Sequence, residues 1–451
     1  MKICFIQPEF KGFGGGIRIY HEYFIQNLNP GDQCLFLIGS GSVAEKSEFE
    51  INHTPSITEV RLGIARLNKW KRSFQRYSMF PTIQADLAAS WALRELAEAW
   101  EPDVVEIADI SLLYAAWLSS NPVPWFVQSH GSTAQLLQND PLKGQEPISQ
   151  LASLLECNTL RHVPFLATSN PKSRDTWENL IGLREIDVVA PGWAMPQSLC
   201  HSPIANTNID SVVRIFGRFQ SWKGALVVSE AISKLDSISL NVEWYGLNMP
   251  YNDCNTSMLD EVLSKFAGIN QKLVLKEPVL PAEVYKLQSK ALFNLVPSSW
   301  DVMNFSAIEA MASGRPLIIS DGAGASCFIE DGVSGLIFKA GDASSLCESI
   351  IKMMDTSEVD RLKMASRAQK TVQKLFDPAR QAQERYEYFQ HLINYWPLKG
   401  VSKVPLWVEQ SVSPMPVHSD QPWALLDNLP LKGLLQYTLK RLRAKFSKSG
   451  I

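Results

Sequence analysis

Short runs of consecutive apolar residues, each closed by a polar or small residue, recur along the first 193 positions: KICFI, CLFLI, DVVEIA, WFVQSH, PFLATS and DVVAP. Runs that are apolar at nearly every position belong to strands buried on both faces. Helical spacing separates several of them, as over 83–99, and supplies the covering layers. The pattern predicts a mostly parallel sheet with helices on both sides. From 194 to 210 the periodicity stops in AMPQSLCHSPIANTNID, a Pro-, Ser- and Asn-containing stretch that reads as a linker. It restarts at 211, with SVVRIFG, LNVEWYG, KLVLKEP, LFNLVPS, PLIISDG and GLIFK as strands and GALVVSEAISKL and PAEVYKLQSKA as helices. Two doubly wound, Rossmann-like α/β domains are therefore predicted, 1–193 and 211–376. Asp377 followed by Pro378 is an N-cap with proline at the first helical position, and opens a predicted helix 377–396. The tail 397–451 shows no pattern until a basic amphipathic helix near its end.

Composition narrows the class. A chain of 451 residues exceeds what one core supports, which agrees with two domains. The hydrophobic share of 45% and charged share of 20% are those of a soluble globular protein, and a net charge of −3 gives no general attraction to nucleic acid. Seven scattered cysteines without a CxxC pair predict reduced thiols and a cytoplasmic protein with no metal cluster. No apolar run reaches the roughly 18–20 residues that span a bilayer, and MKICFIQPEF reads as a first strand rather than a secretory leader.

Two open α/β domains joined by a linker form a cleft between the carboxyl ends of their sheets, where strand-to-helix loops and helix N-termini converge. Four segments are expected there. GRFQSWKG (217–224) follows the first strand of the second domain and offers Arg218 and Lys223 beside backbone N–H groups, a receptor for a diphosphate or simply a solvated loop. SSWDVMNFSAIEAMASGRP (298–316) places Asp301 before a small, apolar helix and Glu309 inside it. Ser306-x-x-Glu309 fits a capping box; the alternative has Glu309 holding ribose hydroxyls, Asp301 holding sugar hydroxyls, and the N–H groups around Asn304, Phe305 and Ser306 meeting phosphate. KGFGGGIR (11–18) lets the backbone of Gly15 and Gly16 approach a ligand, yet satisfies neither the dinucleotide nor the P-loop pattern. FVQSHGS sets His130 at the end of a buried strand, as a structural or a functional histidine.

Taken together, the Gly-rich first loop, the histidine after a first-domain strand, GR-x4-KG, and a carboxylate-x7-Glu followed by AMASGRP resemble the retaining glycosyltransferases of family 4, over roughly residues 1–395. That resemblance implies a GT-B fold, an acceptor-binding first domain and a donor-binding second one. It implies transfer of a sugar from a nucleoside-diphosphate sugar, UDP or GDP, to a hydroxyl acceptor, with no cofactor and no metal. Arg218 and Lys223 would neutralise the diphosphate; Glu309 would hold the ribose and Asp301 the transferred sugar. Asn304, Phe305 and Ser306 would offer backbone N–H groups, Gly15 and Gly16 would close over the diphosphate, and His130 would hydrogen-bond the donor sugar. The helix 377–396 would cross back to the first domain. Departures fall in the donor-sugar pocket: Asp301 stands where Glu is usual, Val302-Met303-Asn304-Phe305 replaces Gly-Phe-Gly, and SDGAGAS stands for a Gly-Gly-x-x-Glu loop. The competing readings are an epimerase or phosphorylase on the same architecture, or a two-lobed protein that only binds.

Two basic, aromatic-bearing stretches, 66–77 and 431–448, remain. The second repeats leucines at helical spacing among six cations, a pattern suited to an anionic membrane surface or to docking on the protein itself.

Overall fold

The computed structural model describes residues 1–8, 16–39, 48–119, 123–139, 147–182, 184–194, 209–235, 240–251 and 256–399, together with 408 and scattered positions from 431 to 442. The first domain is built on an eight-stranded sheet: β1 (Lys2–Gln7), β2 (Gln33–Ile38), β3 (Phe49–His53), β4 (Ile57–Leu62), β5 (Val104–Ala108), β6 (Trp125–Gln128), β7 (Leu166–Thr168) and β8 (Asp187–Val188). Their spatial order is β3-β4-β2-β1-β5-β6-β7-β8, and every pairing is parallel except that of β3 with β4. The second domain carries six parallel strands, β9 (Val212–Phe216), β10 (Asn241–Tyr245), β11 (Leu273–Lys276), β12 (Asn294–Val296), β13 (Leu317–Ser320) and β14 (Leu336–Phe338), in the order β11-β10-β9-β12-β13-β14.

Strand order reverses between β1 and β5 in the first sheet and between β9 and β12 in the second. At such a reversal the connections leave on opposite faces and open a crevice at the carboxyl ends, so each domain presents one to the other. The hairpin β3–β4 is an element the apolar runs do not announce. All five residues of β3 are exposed, so burial imposes no pattern on them.

The helix Pro378–Lys399 returns to the first domain and packs on its sheet. Phe389 meets Phe126 and Phe24, the Tyr386 hydroxyl bonds Asp32, and the Tyr388 hydroxyl donates to Asp187 at 2.8 Å. The two chain crossings between domains lie side by side: Trp193 N–H donates to the Phe376 carbonyl at 2.7 Å, and Gly192 sits against Pro378. A third apolar cluster spans the domains, with Tyr20 and Trp193 from one side and Phe305, Ile308 and Met311 from the other.

The aromatic residues of 66–77 turn inward. Phe74 and Tyr77 lie in the first-domain core with Leu67, Trp70 packs on it, and Arg66 is ion-paired to Glu48 and Glu95. The exposed residues are Lys69 and Arg72 with the uncharged Asn68, Ser73 and Gln75, which removes the aromatic part of a membrane-binding surface there. In the tail, Leu434 packs on the same core while Leu431, Leu435, Leu439 and Leu442 are exposed. The linker 195–208, most of 400–451 and Gly15 lie outside the described residues.

Candidate functional site

The loops that follow β9 and β12 meet at the second domain's switch point. Gly224 makes the approach possible: its φ is +90°, and a Cβ there would stand 2.2 Å from the Pro297 carbonyl oxygen. Ser299 then donates to the Trp222 carbonyl through its N–H at 2.8 Å and its hydroxyl at 3.0 Å, while the two indoles lie 5.8 Å apart. Trp222 also spaces the cations: the Lys223 ammonium is 4.4 Å and the Arg218 guanidinium 5.7 Å from its ring centre.

Lys223 is ion-paired with Asp301. The Asp301 carboxylate also accepts from Asn304 Nδ2 at 2.9 Å, and the same amide nitrogen reaches the Ser298 hydroxyl at 3.2 Å. Arg218 is exposed and has no carboxylate partner among the described residues. A free cation and a paired one, five residues apart, thus flank one loop.

The helix Phe305–Ala312 starts at this point, with Asn304 as N-cap in extended conformation and no capping hydrogen bond from the Asn304 side chain. The capping-box reading of Ser306 and Glu309 is therefore corrected: the helix starts two residues earlier than that box requires, and Asn304, the residue at the N-cap, donates its amide N–H groups to Asp301 and Ser298 instead. The N–H groups of Phe305 and Ser306 have no acceptor among the described residues, so the positive end of the helix is not satisfied by those residues. Glu309, a turn further on, receives no hydrogen bond among the described residues, and burial pushes its carboxyl up to about 8. Tyr23 of the first domain stands near enough to feel its charge. Gly16 opens the helix Gly16–Ile25, and a Cβ on it would lie 3.7 Å from the Phe305 ring, so two helix N-termini face each other across the cleft.

His130 comes to the same cleft from β6. Asp109, buried at the end of β5, accepts from the N–H groups of His130 at 2.9 Å and Gly131 at 3.4 Å and from the Ser129 hydroxyl at 2.9 Å. Gly131, at φ +121°, has space for no more than van der Waals contact with Trp300 and Val302 of the second domain. Burial, and after it the Arg385 guanidinium, lower the His130 imidazole to about 3, which leaves the ring neutral. Behind it His21, Glu106 and His130 bring ligand-type atoms within 4.8 Å of one another. That cluster already holds its cation: Arg385 is ion-paired with Glu106, and a dication would face the guanidinium at close range.

The structure thus gathers Arg218, Lys223, Asp301, Asn304, Phe305, Ser306 and Glu309 on one side of the cleft and Gly16 and His130 on the other. Sequence reasoning passed over Asp109, Trp222, Trp300 and Asn170. Asp109 carried a signal, a carboxylate closing an apolar strand. Asn170 carried one for its local role only: like Asp377 it precedes a proline and caps a helix, Pro171–Ile181, accepting from Ser173 N–H at 2.9 Å, but nothing local announced that its amide reaches across to the Val302 carbonyl.

Comparison with known proteins follows this geometry. Residues 210–356 match the family described as glycosyl transferases group 1. Among curated relatives, the D-inositol 3-phosphate glycosyltransferase of Nocardia farcinica is 27% identical over 230 residues, covering 49% of this chain and 48% of that protein. The enzyme of the same name from Mycolicibacterium smegmatis is 22% identical over 214 residues, 47% and 48% of the two chains. The chain spans about half the length of the curated relatives it matches. Solved structures align over far more. A sucrose-phosphate synthase from Thermosynechococcus elongatus gives a TM-score of 0.66 at 14% identity over 87% of this chain and 99% of that one. An E. coli trehalose-6-phosphate protein bound with UDP-2-fluoro glucose gives 0.61 at 14%, covering 86% and 99%. An Anabaena protein solved with UDP and glucose gives 0.58 at 15%, covering 87% and 100%. By fold the chain is GT-B, like the solved structures it aligns with, and its residues 210–356 match the glycosyl transferases group 1 family.

Proposed function

We propose that the protein is a retaining glycosyltransferase that moves a sugar from a nucleoside-diphosphate sugar to a hydroxyl acceptor without a metal ion. One observation carries the reading. Within the matched stretch 210–356, an exposed Arg218, a paired Lys223 and the N-terminus of Phe305–Ala312 surround the place where a diphosphate would lie, with Glu309, which has no hydrogen-bond partner among the described residues, beside it. The assignment to family 4 rests on the order of these motifs. UDP is favoured as the base because two of the solved neighbours carry UDP or a UDP-sugar.

The chemistry follows from charge. Breaking the anomeric C–O bond leaves a cationic sugar and a diphosphate of growing negative charge. Arg218, Lys223 and the Phe305 and Ser306 N–H groups stabilise that charge more as it develops than in the bound donor, which is the condition for catalysis. Each such fixed donor is worth roughly 2.7–4 kcal/mol in a water-poor cleft. Asp301, oriented by Lys223 and Asn304, accepts hydroxyls of the transferred sugar, and Glu309 accepts from the ribose. The neutral His130 donates to or accepts from the sugar without setting a second positive charge against the developing cation. The acceptor attacks from the leaving-group side, so no protein base is assigned. A peripheral position at an anionic membrane, through the cations of 66–77 and the leucine-faced tail helix, completes the proposal.

The test is a thermal-shift panel of UDP, GDP, ADP, CMP and inorganic phosphate, with wild type beside Arg218→Ala. A ligand at 100 times its Kd adds about 2.7 kcal/mol of stability. One nucleoside diphosphate stabilising wild type, and the variant much less, supports the reading. Stabilisation by phosphate alone, or by nothing, sinks it in favour of a phosphorylase or a protein that only binds.

A further inference from the structure

Beneath His130 lies a charged cluster that the transfer chemistry does not itself use. Arg385, on the returning helix Pro378–Lys399, is 3% exposed and enters the first domain below the helix Gly16–Ile25. Its guanidinium is ion-paired with Glu106 of β5, 2% exposed, and reaches His21 Nδ1 at 3.2 Å. It also lies over the ring of Tyr20, 4.5 Å from its centre, and over Phe24 at 4.6 Å. A donor to Nδ1 leaves the His21 proton on Nε2, which points toward Glu106 Oε1 at 3.8 Å. Arg385 therefore holds two consecutive residues, His21 through an N–H group and Tyr20 by lying over its ring.

Those two rings form the wall against which His130 stands. Tyr20 meets the His130 ring edge-on at 5.0 Å and 82°, and His21 lies 6.0 Å from it. We propose that Arg385 is a positioning residue for the proposed transfer reaction: it fixes Tyr20 and His21, and through them the orientation of His130 at the cleft. Docking of the returning helix and the geometry of the reacting site are then one event. An undocked helix withdraws the guanidinium, frees the wall, and leaves His130 tethered only by the backbone bonds to Asp109. The inference rests on the glycosyltransferase reading for its kinetic consequence, but not for its structural one.

The experiment uses the full chain. Removing Arg385 alone strands the Glu106 charge in the interior, so Arg385→Met is combined with Glu106→Leu; apolar replacement of both members of a buried pair is often neutral or stabilising. Expected are a folded protein, a kcat for donor transfer or hydrolysis at least tenfold lower, a donor KM within threefold of wild type, and a displaced His130 ring resonance as the Tyr20 edge contact is lost. Arg385→Lys, which restores the charge but cannot engage Glu106, His21 and Tyr20 together, falls between the two. A folded double variant with wild-type kcat and an unmoved His130 resonance overturns the proposal. The resonance needs no turnover, so its displacement in a protein that acts on no nucleotide sugar supports the Arg385–His130 link and counts against the transferase reading instead.

Discussion

Glu309→Gln separates a residue kept for binding from one kept for stability. The carboxyl is held up to about 8 by burial, above its ordinary 4.5. Below pH 4.5 it is protonated in folded and unfolded chains alike. As pH rises from there the unfolded chain sheds the proton and the folded one keeps it, so stability falls, and above pH 8 the full cost of holding a buried charge is present. The interval converts at about 1.36 kcal/mol per pH unit to a ceiling of about 5 kcal/mol; cleft water screens one side of the group, which leaves about 2 kcal/mol. Glutamine keeps the shape without the charge. Glu309→Gln should therefore raise the melting temperature by about 2–4 °C at pH 8.5, from roughly 2 °C per kcal/mol in a chain this long, and by less than half as much at pH 5. At pH 8.5, where the carboxylate is ionised, the same substitution should weaken UDP binding at least tenfold, about 1.4 kcal/mol, because an amide accepts from a ribose diol through one oxygen only. Differential scanning calorimetry at the two pH values and titration calorimetry with UDP read both effects. A variant less stable at every pH, or one binding UDP like wild type, refutes the reasoning.

Three further outcomes are expected. Arg218→Ala, at an exposed cation without a carboxylate partner, should leave the melting temperature within about 1 °C, since such surface changes stay within about 0.5 kcal/mol, yet lower kcat/KM for the donor at least a hundredfold. Gly224→Ala forces a Cβ against the Pro297 carbonyl at a φ of +90° and should cost at least about 2 kcal/mol in denaturant unfolding, with nucleotide affinity lost as the two loops separate. Truncation after 425 should weaken binding to anionic liposomes, at about 1 kcal/mol per basic side chain removed from the surface; undiminished binding in co-sedimentation removes the tail from that role.

The apolar runs alone specified two parallel sheets and named all six strands of the second one, because even β10 and β11, which are partly exposed, keep enough apolar positions to stand out as runs. They missed the hairpin β3–β4, since the β3 residues are all exposed and Thr58, Glu59 and Arg61 interrupt β4, so neither forms a continuous apolar run. The site was legible as motifs and not as geometry. Lys223 and Asp301 are 78 positions apart and became a pair only when the β9 and β12 loops met over Gly224. Ser306 and Glu309 spelled a capping box that Asn304 displaced, since hydrogen bonds from its amide to Asp301 and Ser298 set where the helix begins. Arg385 is the extreme case. On an amphipathic helix an arginine reads as solvent-facing, and nothing local says otherwise; it is buried because Glu106, 279 residues away, waits beneath it. Local spacing determined the strands and the loops that follow them, because burial acts on each strand separately. Which charges face one another, and which histidine stands neutral at the cleft, was decided by the packing of the returning helix and two sheet edges, because electrostatic partnership depends on distance in space and is blind to distance along the chain.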